Sequence, residues 1–199
     1  MPKSYEVFEN RGNGGELKDY DSLTTQLLYN RGVNTQKEAD IFLNPNFDKH
    51  LHDPFLLPDM EKGVERILKA IEGNERIGIW SDYDADGIPG GALLHDFFKL
   101  IGFTNFENYI PDRHSEGYGL NKEGIESLKN SEVTLLITID CGIRDIALTE
   151  YAKELGLDVI ITDHHEPASS AKNSNGEEIP KAHAVINPKR VDSVYPEKI

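Results

Sequence analysis

Val159–Pro167 reads VIITDHHEP. Its β-branched, apolar start suits a buried strand. Yet the run ends in an acid and two histidines, groups that are costly to bury without partners. Two other apolar runs end alike. RIGIW (76–80) leads into SDYDADG (81–87), and VTLLITI (133–139) leads into Asp140-Cys141-Gly142. Between and around them lie helix-like segments: GGALLHDFFKLIG after the first run, NKEGIESLKN after NFENYI, and IRDIALTEYAKELG after VTLLITI. LDVIIT precedes a polar loop containing AKNSNGEEIPK, and AHAVINP closes the series. Short apolar runs alternating with amphipathic helices predict an α/β fold, a parallel β-sheet flanked by helices. The carboxyl ends of such strands share one edge, where ligands bind. The three acidic ends are therefore expected to meet.

Residues 1–73 carry a different pattern and read as a helical N-terminal lead-in, with 74–199 as the α/β domain. The chain opens on a Gly/Asn-rich loop, ENRGNGGE. DSLTTQLLYNRG has helical spacing and closes on Gly32, a C-cap signal. TQKEADIFLNP starts at a cap-like Asn34 or Thr35 and is stopped by Pro45. LPDMEKGVERILKAIEGN places Met60, Val64, Ile67, Leu68 and Ile71 on one face.

The 199 residues have a formal charge of −14, which argues against a surface coated for non-specific nucleic-acid binding. Carboxylates that hold divalent cations count toward that figure, so the acid excess points to a solvated surface or to bound metal. No run is long enough for a membrane span and no signal peptide is apparent; no membrane partner is expected. The single cysteine, Cys141, fits a reducing, cytoplasmic location. It has no basic neighbour and reads as a small buried residue rather than a nucleophile.

Several carboxylates a few ångströms apart raise one another's pKa unless a cation lies between them. A mixed Asp/His set suits Mn²⁺, Fe²⁺, Co²⁺ or Zn²⁺ better than Ca²⁺. The ligands suffice for two ions sharing a carboxylate, roughly 3.5–4 Å apart, an arrangement that activates water against a phosphoryl group. Metal-dependent phosphoester hydrolysis is the reading the residues favour. DYDADG also matches the start of a calcium loop, but Leu93 stands where that loop needs a bidentate Glu. Asp82, Asp84 and Asp86, spaced by two, would share one side of an extended chain. Asp86 is alternatively a helix cap. GIPGGALL lacks the Lys-Ser/Thr of a P-loop, and its glycines are expected to let backbone approach a ligand. IPDRHSEGYGLN offers Arg113 and His114 for phosphate and Tyr118 for stacking; His183, Lys189 and Arg190 are weaker candidates.

These motifs resemble the DHH phosphoesterase superfamily, named for the triplet that stands here as Asp163-His164-His165. DYDADG, TIDCGI and TDHH are similar to its first three motifs, and AVINPKR to the segment after them. FLNPNFDKHLHDPFLLPDMEKGVERILKAI and YIPDRHSEGYGLN resemble its branch of single-strand-specific 5′→3′ DNA exonucleases. The resemblance implies two Mn²⁺ (or Mg²⁺) ions held by Asp84, Asp86, Asp140 and His164. Asp140 would bridge, and Asp82 would be a further ligand or support. It also implies catalytic roles for Asp140, for His165 at the scissile phosphate and for Asp163 orienting the histidines. Arg113 and His114 would bind the DNA backbone. The implied activity is hydrolysis of single-stranded DNA in repair and recombination, with a single-stranded-DNA-binding protein or a helicase as protein partner. The alternatives are a small-molecule phosphohydrolase of the same family, acting on pyrophosphate, a cyclic dinucleotide or an oligoribonucleotide, or an inactive scaffold. Trp80-Ser81 stands where the branch has His-Gly, and DGIPGG lacks its usual Thr. A bulky Trp80 could change the packing near the metals. The family's fourth metal-binding aspartate and its substrate-binding parts are expected further downstream, so the domain is expected to be incomplete at its C-terminus.

Overall fold

The computed structural model describes residues 16–170 and 176–196, and its first helices begin at side-chain caps. α1 (Ser22–Asn30) starts at Asp21, whose carboxylate accepts from the Leu23 and Thr24 N–H groups. α2 (Gln36–Leu43) starts at Thr35 with a reciprocal capping box: Thr35 Oγ1 accepts from Glu38 N–H, and the Glu38 carboxylate accepts from Thr35 N–H. A single turn, α3 (Phe47–His50), follows. Leu17, Leu28 and Ala39 form the small core of this first unit, Met1–His52. Residues 9–15 of the Gly/Asn-rich opening, and 171–175 of the polar loop, lie outside the described residues.

In the second unit, Asp53–Ile199, α4 (Met60–Glu72) precedes β1 (Ile77–Ser81), α5 (Gly87–Leu100) and β2 (Phe106–Tyr109). Then come α6 (Lys122–Asn130), β3 (Leu135–Ile139), α7 (Ile146–Glu154) and β4 (Asp158–Thr162). The polar loop contains a two-residue antiparallel pair, β5 (Ala168–Ser169) with β6 (Glu177–Glu178), before β7 (Ala184–Ile186). The main sheet is parallel with order β2-β1-β3-β4-β7, as the alternating pattern predicts.

Strand side chains alternate between two cores. Ile77, Ile79, Leu135, Ile137 and Ile160 belong to one, which includes Ala70 of α4 and Phe98 of α5. Trp80, Leu136, Val159 and Ile161 belong to the other, with Ile125 of α6 and Ala152 of α7. Both faces of the sheet are thus covered, which is why β1, β3 and β4 read as nearly continuous apolar runs. Each fully buried Ile or Leu contributes about 1.5–3 kcal/mol.

The helix α4, which the sequence pattern grouped with the lead-in, packs on this sheet. Gly63 lies so close to β7 that an added Cβ would stand 2.9 Å from Ile186 Cδ1. Met60, Ile67, Ala70 and Ile71 complete that face, whereas Leu68, expected on it, is 53% exposed. The small residues Gly63 and Ala70 rotate the contact stripe away from Leu68. No helix among the described residues is long and apolar enough to cross a membrane.

Candidate metal centre

The chain reverses its direction of sheet growth at β1, which has β2 on one side and β3 on the other. Such a switch point opens a crevice at the strands' carboxyl ends. Three acids stand there in one row. Asp82 N–H donates to Ile139 O, Asp140 N–H to Thr162 O and Asp163 N–H to Ile186 O, at 3.1, 2.9 and 3.1 Å. Each acid is therefore one residue past its strand, in matched register.

Asp140 adopts φ 63, a left-handed conformation uncommon for a residue with a side chain. Thr138 Oγ1 pins the turn by donating to Cys141 O at 2.8 Å, and Gly142 follows at φ 107. Ligand atoms of Asp82, Asp84 and Asp140 lie within 4.8 Å of one another, and so do those of Asp140, His164 and His165. Asp140 is common to both groups. His164 Nε2 stands 3.1 Å from Asp140 Oδ1 and 4.0 Å from Asp86 Oδ2. Both Asp140 oxygens and Oδ1 of Asp82 are buried without a hydrogen-bond donor. Burial first, and then Asp84 beside it, pushes Asp140 up to about 6. Burial likewise raises Asp82. Orphaned buried oxygens beside a histidine nitrogen fit a divalent cation well.

The first acidic cluster differs from the extended geometry expected of it. Residues 82–86 bend back into α5, so that a Cβ on Gly87 would stand 2.4 Å from Asp82 O. Asp84, rather than Asp86, satisfies the helix start: its Oδ1 accepts from Asp86 N–H and Gly87 N–H, which lowers its pKa. Asp86 makes no side-chain cap bond, and its side chain is 71% exposed. Two further glycines of α5 lie against the sheet. A Cβ on Gly90 would meet Ile139 at 2.7 Å, and one on Gly91 would meet Ser81 Oγ at 2.0 Å.

Asp163 is a local hub. Its Oδ2 accepts from Ile143 N–H, and its Oδ1 accepts from the N–H groups of His164 and His165. His165 Nδ1 lies 2.8 Å from the same Oδ1. Tyr118, expected as a stacking face, reaches both Asp140 O (3.2 Å) and His165 Nδ1 (3.3 Å) with its hydroxyl. Burial raises the Tyr118 pKa. Asn187 was not singled out from sequence. It is fully buried one residue past β7, and its Nδ2 donates to His165 O at 2.9 Å. The signal was its place: a polar residue ending a fourth apolar run, in line with the three acids.

Arg113 lies over the Tyr83 ring, 4.4 Å from its centroid, close enough that its charge acts on Asp82. His114 sits in the neighbouring loop, its N–H donating to Asp112 Oδ1. The weaker candidates divide. His183 is at the opposite, N-terminal end of β7, where its N–H donates to Val159 O. Arg190 is buried and spends its guanidinium on Asp59, Asp192 and Val185 O. Lys189 stays at the site's edge, 3.7 Å from Glu166. Trp80 is fully buried, stacks on Tyr109 at 4.3 Å and packs so tightly on α6 that a Cβ on Gly124 would lie 2.4 Å from its ring. Cys141 is buried and its thiol is pushed up by burial, in keeping with a packing role.

Residues 76–194 match the DHH family, N-terminal domain, and the chain belongs to this family. Two of its curated relatives carry one name. The single-stranded-DNA-specific exonuclease RecJ of Bacillus subtilis is 42% identical over 88% of this chain and 21% of its own length. RecJ of Escherichia coli K12 is 36% identical over 71% of this chain and 23% of its own length. The chain therefore spans about a fifth of the length of these relatives. Among solved structures, exonuclease RecJ bound to manganese superposes with a TM-score of 0.61 at 28% identity, over 73% of this chain and 35% of the other.

Proposed function

We propose that this chain forms part of a metal-dependent exonuclease that hydrolyses phosphodiester bonds of single-stranded DNA in the 5′→3′ direction, in DNA repair and recombination. The observation that carries the reading is that both ligand groups share Asp140, whose oxygens are buried without donors. The similarity to RecJ over most of the chain supports the choice of substrate. In this reading residues 74–199 are the phosphoesterase domain and 1–73 its lead-in, and the enzyme works in the cytoplasm.

Asp82, Asp84, Asp86, Asp140 and His164 would hold two Mn²⁺ (or Mg²⁺) ions, with Asp140 between them. When bound, such ions supply charge for a phosphoryl oxygen and a more acidic water. The protein's own groups do the positioning. Asp163 fixes the His165 ring through Nδ1, which leaves Nε2 as the nitrogen available to the scissile phosphate or the leaving oxygen. Tyr118 steadies the same ring, and Asn187 its backbone. Arg113, held over Tyr83, offers a guanidinium to a backbone phosphate, with His114 beside it. A single-stranded-DNA-binding protein or a helicase would deliver the strand.

The test incubates the protein with Mn²⁺ and single-stranded DNA labelled at either end, with duplex DNA, pyrophosphate and a cyclic dinucleotide in parallel. Mononucleotide release from the 5′ end of single strands, abolished by EDTA, is expected. Turnover of pyrophosphate or the cyclic dinucleotide without DNA degradation would replace this reading with a small-molecule one.

A further inference from the structure

A cavity of about 310 Å³ lies against His165, between the loop after β3 and the loop after β4. None of Asp82, Asp84, Asp86, Asp140 or His164 lines it. It adjoins the metal centre and shares Tyr118, Asp163 and His165 with it. Ile143 and the Tyr118 ring give it apolar wall, and Arg144 and Lys189 give it two cations.

Those cations are held but not consumed. Arg144 Nε donates to Glu166 O at 2.7 Å, which fixes the guanidinium plane. Its two Nη groups make no hydrogen bond among the described residues. Lys189 has its backbone anchored on Asn187 Oδ1 at 2.7 Å, and its ammonium stands 3.7 Å from Glu166 Oε1, too far for a hydrogen bond. Three acids, Asp145, Asp163 and Glu166, also line the cavity. Asp163 is saturated by its four N–H and imidazole contacts. Asp145 accepts from Leu120 N–H at 2.8 Å, and the Glu166 side chain is 69% exposed. A guanidinium fork with two free arms beside an ammonium is a phosphate-binding arrangement. An aromatic ring and an aliphatic wall suit a nucleobase. The volume is at the small end for ligand pockets, about 300 Å³ upward, which matches one nucleotide and not a strand.

We propose that this cavity is a subsite for the nucleotide next to the scissile phosphodiester, with Arg144 and Lys189 binding its phosphate. The inference rests on the phosphodiesterase reading above and deepens it. It assigns a specificity role to Arg144 and Lys189 and brings the adjoining phosphodiester alongside His165.

Calorimetric titration of the metal-free protein with thymidine 5′-monophosphate tests it directly, because the metal centre then adds no phosphate affinity. Wild type is expected to bind, and R144Q/K189Q to bind at least about tenfold more weakly. Arg144→Lys is expected to fall between them, since it keeps the charge and loses the fork. Unchanged thermal melting of the variants would show that the fold is intact. Equal affinity of wild type and R144Q/K189Q, or no binding by wild type, would overturn the subsite. Degradation of single-stranded DNA with Mn²⁺ is a separate readout, in which R144Q/K189Q is expected to raise KM about tenfold at similar kcat. Arg144-dependent nucleotide binding by a protein that degrades no DNA would keep the subsite and remove the exonuclease reading. DNA degradation with unchanged KM and unchanged nucleotide affinity in the variant would do the opposite.

Discussion

His164 Nε2 stands 3.1 Å from Oδ1 of Asp140, a carboxylate with no hydrogen-bond donor of its own. The fold thus holds an ionised Asp140 at a cost that a bound cation removes. Asp140→Asn is expected to weaken Mn²⁺ binding by about a hundredfold or more. It is also expected to stabilise the metal-free protein by about 2 kcal/mol at pH 7.5. Calorimetric Mn²⁺ titration and urea unfolding in EDTA measure the two effects. A variant that binds Mn²⁺ like wild type would remove Asp140 from the centre.

The same relationship sets a pH dependence. Folding raises Asp140 from its ordinary value to about 6, so the fold favours its protonated form. That contribution is fully present below about pH 4 and is lost as the pH rises through 6. Metal-free protein is therefore expected to lose stability between about pH 4 and pH 6, and Asp140→Asn to flatten that slope. Mn²⁺ should restore stability at pH 7.5 and have little effect near pH 5. Melting curves across the range, with and without Mn²⁺, decide this.

Asp163 accepts from Ile143, His164 and His165 at once, and an amide in its place would turn a donor toward one of them. Asp163→Asn is expected to destabilise the protein by about 2–3 kcal/mol through the unsatisfied buried group. It is also expected to reduce activity by about 10- to 100-fold by freeing the His165 ring. Denaturant unfolding and nuclease rates are the measurements. A stable, fully active variant would contradict the hub role.

Gly91 faces Ser81 so closely that alanine would place its Cβ 2.0 Å from Oγ. Alanine favours a helix by about 1 kcal/mol over glycine, but the steric cost is larger. Gly91→Ala is expected to lower stability by about 1–3 kcal/mol and to disturb metal binding through the Asp82–Gly87 turn. Adding Ser81→Gly should recover much of the loss, a non-additive pair. Additive melting shifts would argue against direct contact.

Glu75 links the sheet to α4 through Arg66, which also donates to Asp158 at 2.7 Å. Hydrogen bonding to Arg66 lowers the Glu75 pKa from its ordinary 4.5. Its contribution is therefore complete above about pH 4.5 and lost as the pH falls through the depressed value. Glu75→Gln is expected to cost about 1–3 kcal/mol at pH 7, because it leaves Arg66, itself only 8% exposed, with less counter-charge. The difference from wild type should shrink below pH 4.

The amino-acid sequence by itself determined the sheet and the row of acids. Short apolar runs alternating with amphipathic helical segments read as parallel strands under helices, and a residue one step past each strand then reaches the same edge. Asp82, Asp140 and Asp163 were legible for that reason. Only the tertiary structure decided what depends on the path between elements. The bend at 82–86 gave the helix start to Asp84 and left Asp86 exposed, since local N–H groups overrode extended alternation. The close approach of Gly63 to β7 turned Leu68 outward. Arg190 was drawn into a buried pair with Asp59, distant in sequence, while Arg144 was placed beside His165 with Nε on Glu166 O. Local periodicity encodes which face a residue belongs to; which partner meets it there is set by long-range packing that no short window contains.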